Sequence, residues 1–196
     1  MLISSYLVAY NCASWMISAI KTLQLFSDEI IVAIDEKTSD NTRDVLKEFG
    51  ITNTFEFQFT NFIDLFNTIM PKFHGDWIFG LDADEDIATL EAVKIRNILL
   101  NTSDKIDMYY FPRYHWLDYK KTEQWTAAYP DYQRRLFRKN IPGLSLSLPV
   151  HGIPVGSKNS KLIPENIHIN HYNLLRPYQY RLEIRRAYRK IAGKVI

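Results

Sequence analysis

The sequence predicts an α/β protein in which helices flank both faces of a mostly parallel β-sheet. Strand-like apolar runs alternate with helix-like apolar spacing through residues 1–101. Parallel strands need crossover connections, and these place helices on both faces of the sheet. The alternation stops after residue 101, so we expect residues 102–175 to add an antiparallel, loop-rich half to the same domain. Residues 176–196 form a separate final segment.

The first half contains four predicted strands and four predicted helices. The strands cover residues 2–8, 29–34, 54–59 and 77–81. The first helix is predicted from Met16, Ala19, Ile20 and Leu23, which recur at the spacing of one helical face. The others are predicted over 45–49, where Gly50 ends the helix, over 62–69 and over 89–100.

The second half is less regular. Residues 108–114 predict a strand, and 117–132 predict a loop that carries Trp and Tyr residues. Apolar residues alternate with polar ones over 144–148 and 167–170, which is typical of strands. We therefore expect short strands and loops laid against the parallel sheet.

The final segment predicts a basic amphipathic helix that begins at Pro177. Its apolar stripe consists of Ile184, Ala187, Tyr188, Ile191 and Val195. Such a helix lies on an anionic membrane surface, packs on an adjacent domain, or closes its own domain, and the sequence leaves the three open. We expect it to run to the last residue without a cap and to lead into a further domain.

Composition limits the class of protein. The 196 residues suffice for one domain with a core, and 46% hydrophobic with 23% charged residues is ordinary for a globular protein. The single cysteine, Cys12, excludes an intramolecular disulfide and a cysteine-based zinc site, and we expect it to be buried. No run is long enough to cross a bilayer, and no signal peptide is recognisable. We expect a cytoplasmic protein, and the final helix leaves peripheral contact with a membrane or with an adjacent domain open.

Charge is unevenly distributed along the chain. The net charge is +2, but residues 176–196 hold seven Arg and Lys residues against one acid. Residues 1–175 are therefore net negative. A negative main fold argues against a nucleic-acid-binding face.

An acidic segment follows the fourth predicted strand. Residues 82–86 hold four acids, and crowded carboxylates at a strand end repel one another. A divalent cation such as Mg²⁺ or Mn²⁺ would relieve the repulsion. The alternative is a solvated turn in which Asp86 or Thr89 caps the next helix.

Polar residues also follow the first two strands, at Tyr10, Asn11 and Asp35. The carboxyl ends of parallel strands share one edge of the sheet, where ligands bind in such folds. We therefore expect these residues to converge with Asp82 and Asp84 on one crevice.

Several blocks, in order, resemble glycosyltransferase family 2, the nucleotide-sugar transferases of the GT-A fold. The blocks are residues 28–32 with 35–42, 75–77 with 81–85, 129–138, 150–151 and 171–172. The second block is similar to the family's metal-binding DxD segment. Two departures stand out: Phe66 precedes Asn67 where many relatives have Arg, and Gly152 follows His151 where many have Glu.

The resemblance implies a metal-dependent inverting transferase. It would move a sugar from a UDP-sugar, UDP-glucose being the default donor, to a hydroxyl of a glycan or glycoconjugate acceptor, with Mn²⁺ or Mg²⁺ as cofactor. The implied nucleotide contacts are Tyr10, Asn11, Asp35, Asp82, Arg134 and Arg135. The implied metal ligands are Asp84 and His151, although a histidine near a strand is commonly just a satisfied polar residue.

The acceptor side needs a general base to take the proton of the attacking hydroxyl. The resemblance assigns this role to Asp131, with Asp118 and Glu123 as rivals. Trp116, Trp125 and Tyr129 would stack on sugar rings or pack in the core.

Two other classes of function make different demands on the sequence. A nucleotidyltransferase, a dinucleotide-binding dehydrogenase or a P-loop enzyme needs a glycine-rich phosphate loop, whereas residues 10–13 read Tyr-Asn-Cys-Ala. A non-catalytic module that binds nucleotide sugars remains open because of Gly152. Metal-dependent donor turnover separates that module from an enzyme.

Overall fold

The computed structural model describes residues 1–193. The strands are β1 (Ile3–Ala9), β2 (Glu29–Asp35), β3 (Thr54–Phe57), β4 (Trp77–Gly80), β5 (Glu85–Asp86), β6 (Met108–Phe111), β7 (Arg113–His115), β8 (Gln133–Arg138), β9 (Ser145–Leu146), β10 (Pro154–Val155), β11 (Ser160–Leu162) and β12 (Ile169–His171). The α-helices are α1 (Met16–Gln24), α2 (Thr42–Glu48), α3 (Phe62–Ile69), α4 (Thr89–Ala92), α5 (Ile95–Leu100) and α6 (Tyr178–Ile191).

The central sheet has the strand order β11-β6-β8-β4-β1-β2-β3. Strands β4, β1, β2 and β3 are parallel, and β8 runs antiparallel between β4 and β6. The predicted α/β architecture with a mostly parallel sheet is therefore confirmed. Parallel pairing also places the ends of β1, β2 and β4 at the same edge.

Apolar layers cover both faces of the sheet. On one face, α1 buries Met16, Ala19, Ile20 and Leu23, the four residues of its predicted stripe. On the other face, α3 buries its own apolar residues, Leu65, Phe66 and Ile69. The core residues thus hold the sheet rigidly and leave its carboxyl edge to loops.

Two residues of the second resembling block lie at the opposite, amino edge of the sheet. Gly75 is close to β1, and a Cβ there would lie 2.5 Å from the backbone nitrogen of Ser4. Asp76 accepts a hydrogen bond of 2.8 Å from the backbone nitrogen of Leu2. Gly75 and Asp76 therefore fix the start of β4 against β1.

The predicted strand over 108–114 is interrupted at Pro112, which lacks a backbone donor. Its two parts, β6 and β7, join different sheets, and β7 belongs to a small sheet of order β5-β12-β7. The predicted helix over 89–100 is also divided, into α4 and α5. Strand β8 has no counterpart among the predicted strands because its arginines interrupt the apolar pattern.

The final helix begins at Tyr178, directly after Pro177. Ile184, Tyr188 and Ile191 are half-buried as the stripe predicts, whereas Ala187 is exposed and Val195 lies outside the described residues. The expectation that the helix runs to the last residue is wrong. It ends at Ile191, and Gly193 then takes a φ of 68°, a common helix terminator. Within residues 1–193, no helix is both long and apolar enough to span a bilayer.

Candidate active site

The loops after β1 and β2 are bonded to each other at the carboxyl edge. The side-chain oxygen of Asn11, a residue with a φ of 43°, accepts from the backbone nitrogens of Ser39 (2.8 Å) and Asp40 (3.3 Å). Asp40 Oδ2 in turn accepts from the backbone nitrogen of Ala13 at 3.0 Å. Asn11 and Tyr10 thus belong to a wall of bonded loops above the carboxyl ends of β1 and β2.

Asp35 is buried as the last residue of β2. Its Oδ1 accepts from the backbone nitrogen of Lys37 at 2.9 Å, and its carbonyl accepts from that of Thr38 at 2.8 Å. Asp35 therefore shapes its own turn, while its second carboxylate oxygen remains chemically able to accept from a ligand.

Arginines neutralise much of the acidic segment. Glu85 is 1% exposed, and its Oε1 lies 2.8 Å from both Arg113 Nη1 and Arg135 Nη2. Arg135 Nη2 also lies 2.6 Å from Asp82 Oδ2. Burial alone would raise the pKa of Asp82, but the charge and hydrogen bonds of Arg135 bring it below its ordinary range. Asp82 is therefore ionised and firmly positioned.

Asp86 is bonded to β12 and the residue that follows it. Its carboxylate accepts from Asn170 Nδ2 and from Tyr172 Oη, both at 2.7 Å. Helix α4 is preceded by Ala88 and has no side-chain cap. The alternative in which Asp86 or Thr89 caps that helix is therefore wrong.

Asp84 is a buried carboxylate in the acidic segment that follows β4. Its Oδ2 lies 3.0 Å from Arg176 Nε and 3.6 Å from His171 Nε2. Burial opposes ionisation, but His171, in its protonated form, and Arg176 together lower the pKa of Asp84. Asp84 is thus an ionised carboxylate that already lies beside a positive charge, that of Arg176.

A chain of side-chain contacts connects Asp84 with Asp131: His171 lies 3.6 Å from Asp84, and hydrogen bonds join His171 to His115 and His115 to Asp131. Asp131 Oδ2 lies 2.8 Å from His115 Nε2, and His115 Nδ1 lies 3.0 Å from His171 Nδ1. When both rings are neutral, His115 donates to Asp131 and accepts from His171. His171 then presents the lone pair of its Nε2 beside Asp84, while its other ring nitrogen is held by His115, which is bonded in turn to Asp131.

Asp131 also has an arginine partner. Its Oδ2 lies 2.9 Å and 2.6 Å from Nε and Nη2 of Arg113. Partial burial opposes ionisation, but His115 and Arg113 hold the pKa of Asp131 well below its ordinary range. Proton acceptance by Asp131 would require these contacts to loosen.

His151 is exposed, with a φ of 54°, and its ring packs edge-on against Tyr188 at 5.3 Å. The histidine beside Asp84 is His171. Within the described part of the chain, no three His, Cys, Asp or Glu side chains converge as a ready metal cage.

Arg134 and Arg135 reach different partners, at a point where the pairing of β8 with β6 is irregular. Arg135 reaches the acidic segment, whereas Arg134 Nη1 donates to the carbonyl of Pro154 at 3.1 Å. The fold therefore brings only Arg135 to Asp82.

The loop before β8 places aromatic residues beside the histidines of the site. Trp125 is 44% exposed, and its ring packs edge-on against His115 at 5.6 Å. Trp116 Nε1 donates to Asn170 at 2.8 Å. Asp118 accepts from the backbone nitrogens of Thr122 and Glu123 and so forms a local turn.

The sequence did not predict site roles for Glu85, Arg113, His115, His171 and Arg176. Arg113 and His115 share one side of β7, and pairing with β12 sets His171 opposite His115. In the sequence, His171 could have been identified from the resembling block at 171–172, which contains it.

Comparison with known proteins shows which fold this is. No family model and no curated protein matches the chain. Among solved structures, S. aureus TarS has a TM-score of 0.62 at 10% identity, over 88% of this chain and 37% of that chain. TarS 1-349 in complex with UDP-GlcNAc also has a TM-score of 0.62 at 10% identity, over 99% of this chain and 66% of that chain.

A second structure comes from Mycobacterium tuberculosis. Glucosyl-3-phosphoglycerate synthase in complex with Mn²⁺, UDP and glucosyl-3-phosphoglycerate has a TM-score of 0.60 at 15% identity, over 100% of this chain and 81% of that chain. At these identities the likeness concerns the fold, and it confirms the predicted GT-A fold. This chain spans little more than a third of the TarS chain and just under two thirds of its 1-349 fragment.

Proposed function

We propose that the protein is a metal-dependent inverting glycosyltransferase. It transfers a sugar from a UDP-sugar to a hydroxyl of a glycan or glycoconjugate. The observation that carries this proposal is the pair of Asp84 and His171 at the carboxyl edge of a GT-A sheet. Neighbours of the same fold support the donor class, since they hold UDP, UDP-GlcNAc and Mn²⁺.

The donor atoms suit Mn²⁺ or Mg²⁺. A carboxylate oxygen and an imidazole nitrogen are both accepted ligands of Mn²⁺. Two protein ligands suffice because such cations take further oxygens from water and from substrate phosphates. When bound, the cation supplies Lewis-acid stabilisation of the leaving diphosphate. Asp84 and His171 would hold it, and His151 would contact the sugar instead.

The wall above β1 and β2 would hold the nucleoside. The second oxygen of Asp35 would accept from the uracil imide or the ribose, next to Tyr10 and Asn11. Asp82, fixed by Arg135, would bind the ribose. Arg134, which has one contact to a carbonyl, would turn its remaining donors to the diphosphate.

The acceptor would enter beside Trp125, whose exposed ring suits stacking on a sugar. Asp131 would take the hydroxyl proton once an acceptor replaces Arg113 or His115 as its partner. The paired state of Asp131 favours a second candidate, a module that binds the donor without turning it over.

The test is calorimetric titration of UDP with and without Mn²⁺. We expect binding that needs the metal and that Asp84→Asn removes, whereas Asp44→Asn, a change at an exposed carboxylate, leaves it intact. Metal-independent binding, or full binding in Asp84→Asn, would contradict the metal site. UDP release from UDP-glucose, the first donor to screen, then separates the enzyme from the binding module.

A further inference from the structure

Helix α6 lies over the carboxyl edge of the sheet. Arg176, two residues before it, is beside Asp84 at the end of β4. Tyr180 Oη donates to the carbonyl of Tyr10 at 3.4 Å, just after β1. Tyr188 packs on Phe62 at 5.7 Å, at the start of α3. The helix and Arg176, which precedes it, therefore contact residues that follow β4, β1 and β3.

The inner face of α6 is close to the acidic segment. Burial and the charges of Asp82 and Asp84 raise the pKa of Tyr188. Yet no residue of α6 is fully buried. A helix with so little buried surface is weakly held by hydrophobic packing.

Arg176 anchors the start of this helix. It is 7% exposed, and its guanidinium lies 5.2 Å from the Trp15 ring centre and 4.8 Å from that of Tyr180. Its Nε is 3.0 Å from Asp84 Oδ2 but is not aligned for a hydrogen bond. The attraction between Arg176 and Asp84 is thus chiefly one of charge, and a second cation on the same oxygen would weaken it.

We propose that Arg176 and the divalent cation compete for Asp84, and that loss of the Arg176–Asp84 pair releases α6 from the carboxyl edge of the sheet. This inference rests on the metal site of the proposed function. Metal entry and helix release are then linked equilibria, and each promotes the other by the same factor. Without the cation, Arg176 neutralises Asp84 and α6 covers the site.

The direction of the change in Mn²⁺ affinity on removing Arg176 distinguishes a competitor of the cation from an ordinary structural arginine. Arg176→Met keeps an unbranched chain for packing on Trp15 but removes the charge. We expect this variant to bind Mn²⁺ alone about tenfold more tightly, because the competitor is gone. Backbone amides of 178–191 should exchange hydrogen faster without any metal. Arg185→Met, a change on the exposed face of α6, is the matched control.

Mn²⁺ titration and hydrogen exchange on wild type, Arg176→Met and Arg185→Met test the inference. Unchanged or weaker Mn²⁺ binding in Arg176→Met would overturn the competition, and tighter binding without faster helix exchange would overturn the release. If wild type binds UDP with Mn²⁺ while Arg176→Met behaves like Arg185→Met, this inference alone fails. If no variant binds Mn²⁺ or UDP, the proposed function fails with it.

Discussion

Glu85 lies between Arg113 and Arg135 with almost no exposure to solvent, and this pairing stabilises a strand end crowded with acids. Glu85→Gln would leave two buried guanidinium groups without their shared anion. Breaking a buried ion pair in this way costs about 3–5 kcal/mol, so we expect a loss of that order in the free energy of unfolding. Urea denaturation measures it. Glu48→Gln, at an exposed residue, is the control, and a loss below ~1 kcal/mol at Glu85 would contradict the prediction.

Gly80 is the last residue of β4, and Tyr6 of β1 lies against it. A Cβ at Gly80 would be 2.5 Å from Cζ of Tyr6. Gly80→Ala should therefore overpack the strand end and lower the free energy of unfolding by ~1–3 kcal/mol. A second change, Tyr6→Val, removes the obstructing ring. The double variant should be more stable than the sum of the two single losses predicts, and strict additivity would show that the contact is unimportant.

At the scale of elements, strands β7 and β12 align the two histidines of the site. His115→Leu would remove the ring that orients His171 but would leave Asp84 and His171 in place. Loss of such a supporting partner typically weakens metal binding 10–100-fold, and we expect an effect of that size on Mn²⁺ affinity. Tyr114→Phe, a change on the other side of β7, should leave the affinity unchanged. Equal affinities in both variants would remove His115 from the metal site.

The same elements show what could be predicted from the sequence. Strands β1, β2 and β4 and helices α1 and α3 follow from local apolar periodicity, and the end of a parallel strand fixes the edge to which Asp35, Asp82 and Asp84 belong. Which basic residues contact the buried carboxylates depends instead on the pairing of strands that are far apart in the sequence. His171 meets His115 only through the register of β12 with β7. No local pattern encodes that pairing.

The distribution of charge matters for the whole molecule. Residues 1–175 are net negative, and the basic final helix begins where Arg176 meets Asp84. Arg176, one of the basic residues at the end of the chain, thus forms an ion pair within the fold. This favours the interpretation in which α6 closes its own domain. It argues against a role of the inner face of α6 in contact with a membrane or an adjacent domain.

Acid should destabilise the whole fold through the paired carboxylates. The pKa values of Asp82, Asp84 and Asp131 are all below the ordinary 3.8. A depressed pKa contributes stability that is fully present above the unfolded value and is lost as the pH falls towards the folded value. We therefore expect the free energy of unfolding to fall steadily as the pH is lowered below about 4.

Asp131→Asn isolates one part of this dependence, because asparagine cannot lose a proton. Wild type should be more stable than Asp131→Asn at neutral pH, where the ionised carboxylate pairs with Arg113. The difference should shrink as the pH falls below about 4, since Asp131 then becomes protonated in the unfolded state first. Urea denaturation of both proteins between pH 7 and about pH 2 measures the difference. A gap that stays constant over this range would mean that the Asp131 ion pair contributes no pH-dependent stability.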